Sequence, residues 1–400
     1  MAYRDLPGMT IGIVHDQTII YLKGFGYADR LSRKPSTPDS IYRIGSISKL
    51  FTAIAIMQLR DEGKLDLDDP VRKYLPWFAL KNSFPAGPAI TIRHLLTHSS
   101  GLPREAGSAY WIDMDFPTSR QVRDRLARQK TIYPPEKKLK YSNLALALAG
   151  EIVAAISGTS FADHVTRRIL RPLGMMNTSV ALPQARQQML ATGYGRRMPD
   201  NTRETFAFVD ARGMAAATGF SSSVHDMTKF VSWQLRLLGS NETEILKPGT
   251  LREMQRVHWP PAGLSGGRGL GFDVLGTKDR QLIGHGGGYP GYQTAAYISP
   301  KEKLGVIVFA NSLDTNPYPG TPLSITDRIF SWIAPAVGKA RKGRDVPEAP
   351  LAWKRLQGVY RSLWSDIHIL PLEGKLMLID PTIPEPKSAA MTLEPFTPGT

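Results

Sequence analysis

The alternation of apolar and polar positions is clearest at the two ends of the chain. Residues 10–14 and 18–22 alternate with period two, and the polar pair Asp16-Gln17 between them predicts a β-hairpin. Four more strand-like runs follow late in the chain, at 270–275, 281–284, 292–298 and 304–310. Turn residues at Lys278-Asp279 and Ser299-Pro300-Lys301 separate them, and such sequential runs favour antiparallel pairing. Between the two groups the pattern becomes helical. A segment at 46–62 is stopped by Gly63, and one at 143–156 by Gly158. Two others lie at 161–170 and at 226–238, the latter behind a Ser221-Ser222-Ser223 cap region, and a last helix is expected over 324–336. The simplest architecture is a mixed α/β chain of the α+β type. One antiparallel sheet is built from both chain ends and flanked by helices, and a mostly helical lobe is inserted between them. The sheet lobe takes 1–45 and 265–338, the helical lobe 64–264, and the cleft between lobes is where a site belongs. Residues 339–349 read as a linker. Residues 350–400 read as a short β-rich segment, with strand-like pieces at 367–370 and 375–379 and a turn at Glu373-Gly374.

Composition narrows the reading. The chain has 400 residues, 42% of them hydrophobic, enough for a large core and more than one lobe. It has no cysteine, which removes disulfides, thiol catalysis and cysteine-ligated metals. No run of about 18 apolar residues suggests a membrane span. The first eight residues lack the basic-then-apolar pattern of a signal peptide, so the expectation is a cytoplasmic protein as written, or a periplasmic or secreted one if the chain is trimmed at its start. The net charge of +15 raises the question of an anionic partner. The basic residues are scattered, and the one dense cluster, 339–344, falls in the linker. We expect a solvated basic surface and no nucleic-acid partner.

Three short motifs carry candidate chemistry. In Arg43-Ile44-Gly45-Ser46-Ile47-Ser48-Lys49, Ser46 and Lys49 stand three apart at a helix start, on one face. A serine hydroxyl becomes a nucleophile when a neighbour takes its proton, and a lysine can do this once burial lowers its pKa. The apolar run from Leu50 to Met57 supplies that burial. In Tyr141-Ser142-Asn143, the tyrosine is a candidate proton carrier, its phenolate stabilised by a nearby ammonium. Asn143 offers an amide to Lys49 and to a substrate carbonyl. In His285-Gly286-Gly287-Gly288, following the strand 281–284, side-chain-free positions let an acyl group lie along a strand edge. The N–H groups of Ser46 and Gly288 are then candidates for an oxyanion hole. Each motif taken singly also fits plain packing, capping or a flexible turn.

Taken together and in this order, the motifs resemble the serine β-lactamase and penicillin-binding superfamily described by Ser-x-x-Lys. Within it the sequence is most similar to the class C β-lactamase-like branch, with its family VIII esterases and D-aminopeptidases. The resemblance runs from about residue 8 to residue 333. It includes residues 24–29, residues 65–71, the stretch His94-Leu95-Leu96-Thr97-His98-Ser99-Ser100-Gly101-Leu102-Pro103, and Gly269-Leu270-Gly271-Phe272. It implies a β-lactamase/transpeptidase-like fold, with Ser46 as nucleophile, Lys49 as its activator and Tyr141 as general base and acid. Asn143, His285, Gly287, Gly288 and Tyr289 are the expected substrate-binding positions. It implies no cofactor and no metal. His285 stands where true β-lactamases have the lysine of a Lys-Thr-Gly strand. A largely neutral imidazole is a poorer anchor for a β-lactam carboxylate, and it is expected to charge as the pH falls toward 6. Relatives in this branch usually begin with a helix packed on the sheet, from which this sequence departs with only seven residues ahead of Gly8. Some continue into a lipocalin-like domain, of which residues 350–400 are expected to form part.

The expected reaction is therefore acyl transfer to water through a serine ester. Small ester, amide or lactam substrates are the expected partners, with small acyl esters preferred. A D-amino-acid-directed peptidase or penicillin-binding protein, or a weak β-lactamase, is the alternative. A non-catalytic scaffold is the alternative of another class. His94 and His98, four apart on an expected helix with Asp113 and Asp115 near in sequence, are set aside as a metal site because no general-base glutamate lies between them.

Overall fold

The computed structural model describes residues 5–260, 266–276, 281–313, 321–341, 350–361, 366–372, 374–381, 383 and 389–394. The opening hairpin is present as β1 (Gly8–His15) and β2 (Thr18–Asp29), followed by the short β3 (Lys34–Pro35) and β4 (Ile41–Arg43). A 3-10 turn over Gly45–Ile47 leads into α1 (Ser48–Asp61), the segment expected to be helical from Ser46. Nearly every side chain of α1 is buried, so it runs through the centre of the molecule and does not lie on its surface.

The helical lobe follows. It contains α2 (Val71–Tyr74), α3 (Ile92–Leu96), α4 (Ser119–Leu126), α5 (Asn143–Ser157) and α6 (Phe161–Val165), which continues as a π turn, Thr166–Leu170. The Ser142 hydroxyl accepts the Ala145 N–H at 3.0 Å and so fixes the start of α5, which Gly158 ends. Two small pairings cross the lobe. One joins β5 (Gly193–Tyr194) to β6 (Thr205–Phe206), and the other joins β4 to β7 (Ser221–Ser223). The α7 turn (Ala215–Thr218) precedes β7. The α8 helix (Val224–Leu238) follows it, with Ser223 as its cap as expected, accepting the Asp226 N–H at 3.1 Å. The α9 helix (Pro248–Met254) closes the lobe.

The chain then returns to the sheet through β8 (Gly266–Arg268), β9 (Asp273–Gly276), β10 (Gln281–Tyr289), β11 (Tyr292–Ser299) and β12 (Leu304–Ala310). The order across the eight strands is β3-β2-β1-β12-β11-β10-β9-β8, all antiparallel. The strands from the two ends of this body, β1 and β12, pair directly, Met9 with Ala310 through His15 with Leu304. One face of the sheet meets α8. The other meets α10 (Pro322–Arg341) through a second apolar cluster that contains Ile329 and Phe330.

The expectations fail at three places. The strand expected over 270–275 is broken, because the Leu270 and Gly271 N–H groups bond the Met254 and Leu96 carbonyls and not a neighbouring strand. The strand expected over 281–284 continues to Tyr289, with all three glycines inside it. The last helix passes Ala336 and covers the first part of the expected linker, holding Pro335 within it while Ile333 and Ala334 pack on the sheet. The remainder of the linker, 342–349, lies outside the described residues, as do the turn residues Lys278, Asp279 and Glu373. Beyond it come α11 (Leu351–Leu356) and a separate four-stranded antiparallel sheet. Its strands are β13 (Gly358–Arg361), β14 (Asp366–Leu372), β15 (Lys375–Ile379) and β16 (Met391–Leu393). Among the described residues no single helix is long and apolar enough to cross a membrane.

Candidate active site

The turn that carries Ser46 is held from several sides. Gly45 has φ +53, and a Cβ there would lie 2.6–2.9 Å from the Gly288 backbone. Only glycine combines this conformation with so close an approach. The Ser48 hydroxyl donates to the Gly45 carbonyl at 2.6 Å and accepts the Phe220 N–H at 3.0 Å, tying the turn to the strand that crosses the lobe. Gly287 packs against the preceding residue, where an added Cβ would meet the Ile44 carbonyl oxygen at 2.0 Å. The same carbonyl accepts the Thr294 hydroxyl at 3.0 Å. The Ser46 turn thus lies directly against the glycine-bearing strand.

Ser46, Lys49 and Tyr141 converge. Lys49 Nζ lies 2.9 Å from Ser46 Oγ and donates to Asn143 Oδ1 at 2.8 Å and to the Ala217 carbonyl at 2.7 Å. The Tyr141 hydroxyl donates to Ser46 Oγ at 2.7 Å. Lys49 is fully buried, and burial holds its pKa well below the usual lysine value. Arg104 and Arg268 push the same way, while Glu105 opposes them. Tyr141 differs from the sequence expectation of a stabilised phenolate. Burial pushes its pKa up to about 12, although Ser46, Arg268 and Arg104 favour the ionised form. Burial thus works against the charged lysine and the ionised tyrosine alike.

The other expected positions divide. Asn143 is buried, with Oδ1 on Lys49 and Nδ2 donating to Glu105 Oε1 at 2.8 Å. His285 is buried with its ring centroid 6.3 Å from that of Tyr141. Its Nδ1 donates to the Gly286 carbonyl at 2.5 Å, which puts the proton on Nδ1. Burial, together with Lys49 and Arg268, drives its pKa well below the usual histidine value, which works against the expectation that it charges as the pH falls. Gly288 faces open space on its α-carbon. Tyr289, expected at the cleft, is only 2% exposed. Its hydroxyl donates to the Val209 carbonyl at 3.0 Å, and its ring packs with Phe116, Trp111 and the Arg43 guanidinium. It supports the wall and does not face the cleft.

His94 and His98 do not share a helix face. The α3 helix ends at Leu96, and His98 has φ +57. His94 Nε2 meets Glu136 at 2.9 Å, whereas His98 Nδ1 accepts the Ser142 N–H at 3.2 Å and its ring stacks on Tyr141 at 4.3 Å. His98 thus orients the tyrosine loop.

Four charged residues that sequence reasoning missed surround the centre. The Arg104 and Arg268 guanidiniums lie 5.3 and 5.4 Å from the Tyr141 ring centre. Arg104 donates to Glu105 at 3.0 Å, and Arg268 pairs with Asp273. Glu105 also accepts the Tyr110 hydroxyl. Arg104 and Glu105 directly follow the recognisable stretch ending at Pro103, and that adjacency was the one available signal.

The chain matches the family model described as Beta-lactamase over residues 1–323. It is 33% identical over 259 residues to Beta-lactamase-like protein 2 of Dictyostelium discoideum, covering 63% of this chain and 46% of that protein. It is 27% identical over 367 residues to Penicillin-binding protein 4* of Bacillus subtilis strain 168, covering 87% and 75%. This chain therefore spans about half the length of the first of these relatives. Among solved structures, the octameric penicillin-binding protein homologue from Pyrococcus abyssi superposes with a TM-score of 0.68 at 29% identity, over 98% of this chain and 87% of that one. A D-stereospecific amidohydrolase from Streptomyces gives 0.63 at 25% identity, over 78% and 92%.

Proposed function

Because this chain belongs to the Beta-lactamase family, we propose that it is a serine hydrolase that forms an acyl-enzyme on Ser46 and acts on small acyl esters. One observation carries the reading: Ser46 Oγ lies 2.9 Å from a buried lysine amine and 2.7 Å from a buried tyrosine hydroxyl. Ser46 Oγ attacks the ester carbonyl carbon while Lys49, neutral through burial, takes the hydroxyl proton. The developing oxyanion is assigned to the N–H groups of Ser46 and Gly288. Collapse expels the leaving oxygen, which takes the Tyr141 proton, and the Lys49 ammonium restores the phenol. Water then attacks the acyl-enzyme, giving its proton to the same pair.

We prefer esters to β-lactams because burial works against a charged His285, the position at which a lactam carboxylate would be anchored. The likeness to a D-stereospecific amidohydrolase favours a second reading, amide hydrolysis beside a D-centre. The hydrogen-bonded Ser46, Lys49 and Tyr141 count against a non-catalytic scaffold.

The test is intact-mass analysis after parallel incubation with a fluorophosphonate, p-nitrophenyl butyrate, a penicillin and a D-alanyl amide. We expect a single fluorophosphonate adduct on the peptide holding Ser46, and turnover of the ester. No adduct, or one confined to Ser48 or Ser142, would end the proposal. Faster acylation by the amide would transfer it to the second reading.

A further inference from the structure

A cavity of about 670 Å³ opens beside the catalytic centre, lined by Lys81, Arg104, Glu105, Arg128, Gln129 and Lys130 among others. It adjoins the chemistry through two residues, since Glu105 holds the Asn143 amide and Arg104 lies over the Tyr141 ring. Four of its lining residues are cationic and one is a carboxylate. That carboxylate is already engaged by Arg104, Asn143 and the Tyr110 hydroxyl. No ion pair is formed by Lys81, Arg128 or Lys130 among the described residues.

We propose that this cavity is a subsite for an anionic group, a carboxylate on the acyl part of the substrate, so that the preferred esters are half-esters of dicarboxylic acids. The inference rests on the serine-hydrolase reading above and adds the substrate class to it. The acyl part is assigned because Glu105, which lines the cavity, holds the Asn143 amide, and Asn143 in turn holds Lys49. The leaving oxygen, in contrast, must end at the Tyr141 hydroxyl that protonates it. The carboxylate would take its hydrogen bonds from Arg104, Arg128 or Lys130. A site on the cavity's rim is partly hydrated, so salt should weaken it.

The test compares p-nitrophenyl hydrogen adipate with its methyl ester, two substrates that differ in one charge. In the wild type the anionic ester should be favoured in kcat/KM by about tenfold, the worth of one charge-assisted hydrogen bond. The Arg128→Gln/Lys130→Gln protein should bring the ratio close to one, and added salt should lower it. Lys303→Gln removes a charge from the turn at the other end of the sheet and should leave the ratio as it was. In parallel, calorimetric titration of the Ser46→Ala protein with methyl hydrogen adipate reads the cavity without turnover, and the double substitution should abolish the binding heat. A wild-type ratio near one, a ratio the double substitution leaves in place, or titration heat equal in both proteins overturns the subsite. If instead neither ester turns over and Ser46 takes up no fluorophosphonate, while the titration still depends on Arg128 and Lys130, the hydrolase reading fails and the anion site stands.

Discussion

Lys49 donates to Asn143 Oδ1 and the Ala217 carbonyl and lies 2.9 Å from Ser46 Oγ, with no carboxylate among these partners, in a fully buried position. Its charged form is therefore the costly one, and this sets the expected pH profile. In the proposed mechanism the free amine is the reactive form, so kcat/KM should fall as the pH drops through the lowered lysine pKa. No alkaline limb should be seen up to about pH 10, because Tyr141 holds its proton to about 12. Stopped-flow measurement with p-nitrophenyl acetate checks this, and a bell centred near neutrality would contradict it. Lys49→Ala and Tyr141→Phe should each lower turnover about 100-fold or more. The double substitution should lose little beyond the worse single one, since the pair moves one proton set. His285 gives a separate expectation. Held neutral by burial, it should leave the ratio of nitrocefin to p-nitrophenyl acetate turnover unchanged between pH 7 and pH 6, and a rise toward pH 6 would mean that it charges after all. Ser46, Lys49 and Tyr141 were legible in the sequence because their marks are local: a three-residue spacing at a helix start, and a tyrosine beside a helix cap. Their protonation was not. The expected phenolate assumed a charged lysine, and burial removes that charge. Arg104, Glu105, Arg268 and Asp273 reach the centre only through the tertiary fold, and the depth of Tyr289 depends on Phe116 and Trp111, more than 170 positions away in sequence.

At the scale of elements, β10 shows what pattern reading misses. Three consecutive glycines suggest slack chain, yet the pairing with β11 continues without a break from Gly286 opposite Ala295 to Tyr289 opposite Tyr292. The partner strand supplies the order that the glycines lack. The glycines also differ from one another, which gives a paired prediction. At Gly287 a methyl group would be forced 2.0 Å from the Ile44 carbonyl oxygen, on the residue that leads into the nucleophile turn. Gly287→Ala should therefore destabilise by about 1–3 kcal/mol through overpacking. At Gly288 a methyl group meets nothing within 4 Å, so Gly288→Ala should change stability by less than about 0.5 kcal/mol. Urea midpoints of the two proteins measure the difference, and equal midpoints would mean that the strand and the turn are not in contact as described. The helices were read more successfully than this strand. Ser142 and Ser223 cap α5 and α8 where the sequence signals stood. The break between β8 and β9 left no such mark, because Leu270 and Gly271 satisfy their N–H groups on helix ends distant in sequence.

The whole molecule is closed by the pairing of β1 with β12, which joins the two ends of the catalytic body and leaves the helical lobe as one long insertion between them. Both chain ends are needed to complete the sheet, so the body should unfold as a unit. The C-terminal segment stands in a different relation to it. Among the described residues, neither apolar cluster of the body includes a side chain beyond Ala334. The strands after Gly358 are mostly half-exposed, with Leu376 buried and Val359, Tyr360 and Met391 open to solvent. The family match likewise stops at residue 323. A chain ending at Arg341 keeps α10, whose Ile329 and Phe330 cover the sheet. It should retain Ser46 labelling by a fluorophosphonate and unfold within about 3 °C of the full chain, because little apolar contact is lost. Calorimetry and labelling of the two chains side by side make the comparison. A large fall in the midpoint would mean that residues 350–400 cover part of the body. A preserved midpoint with lost turnover would place them at the mouth of the cleft.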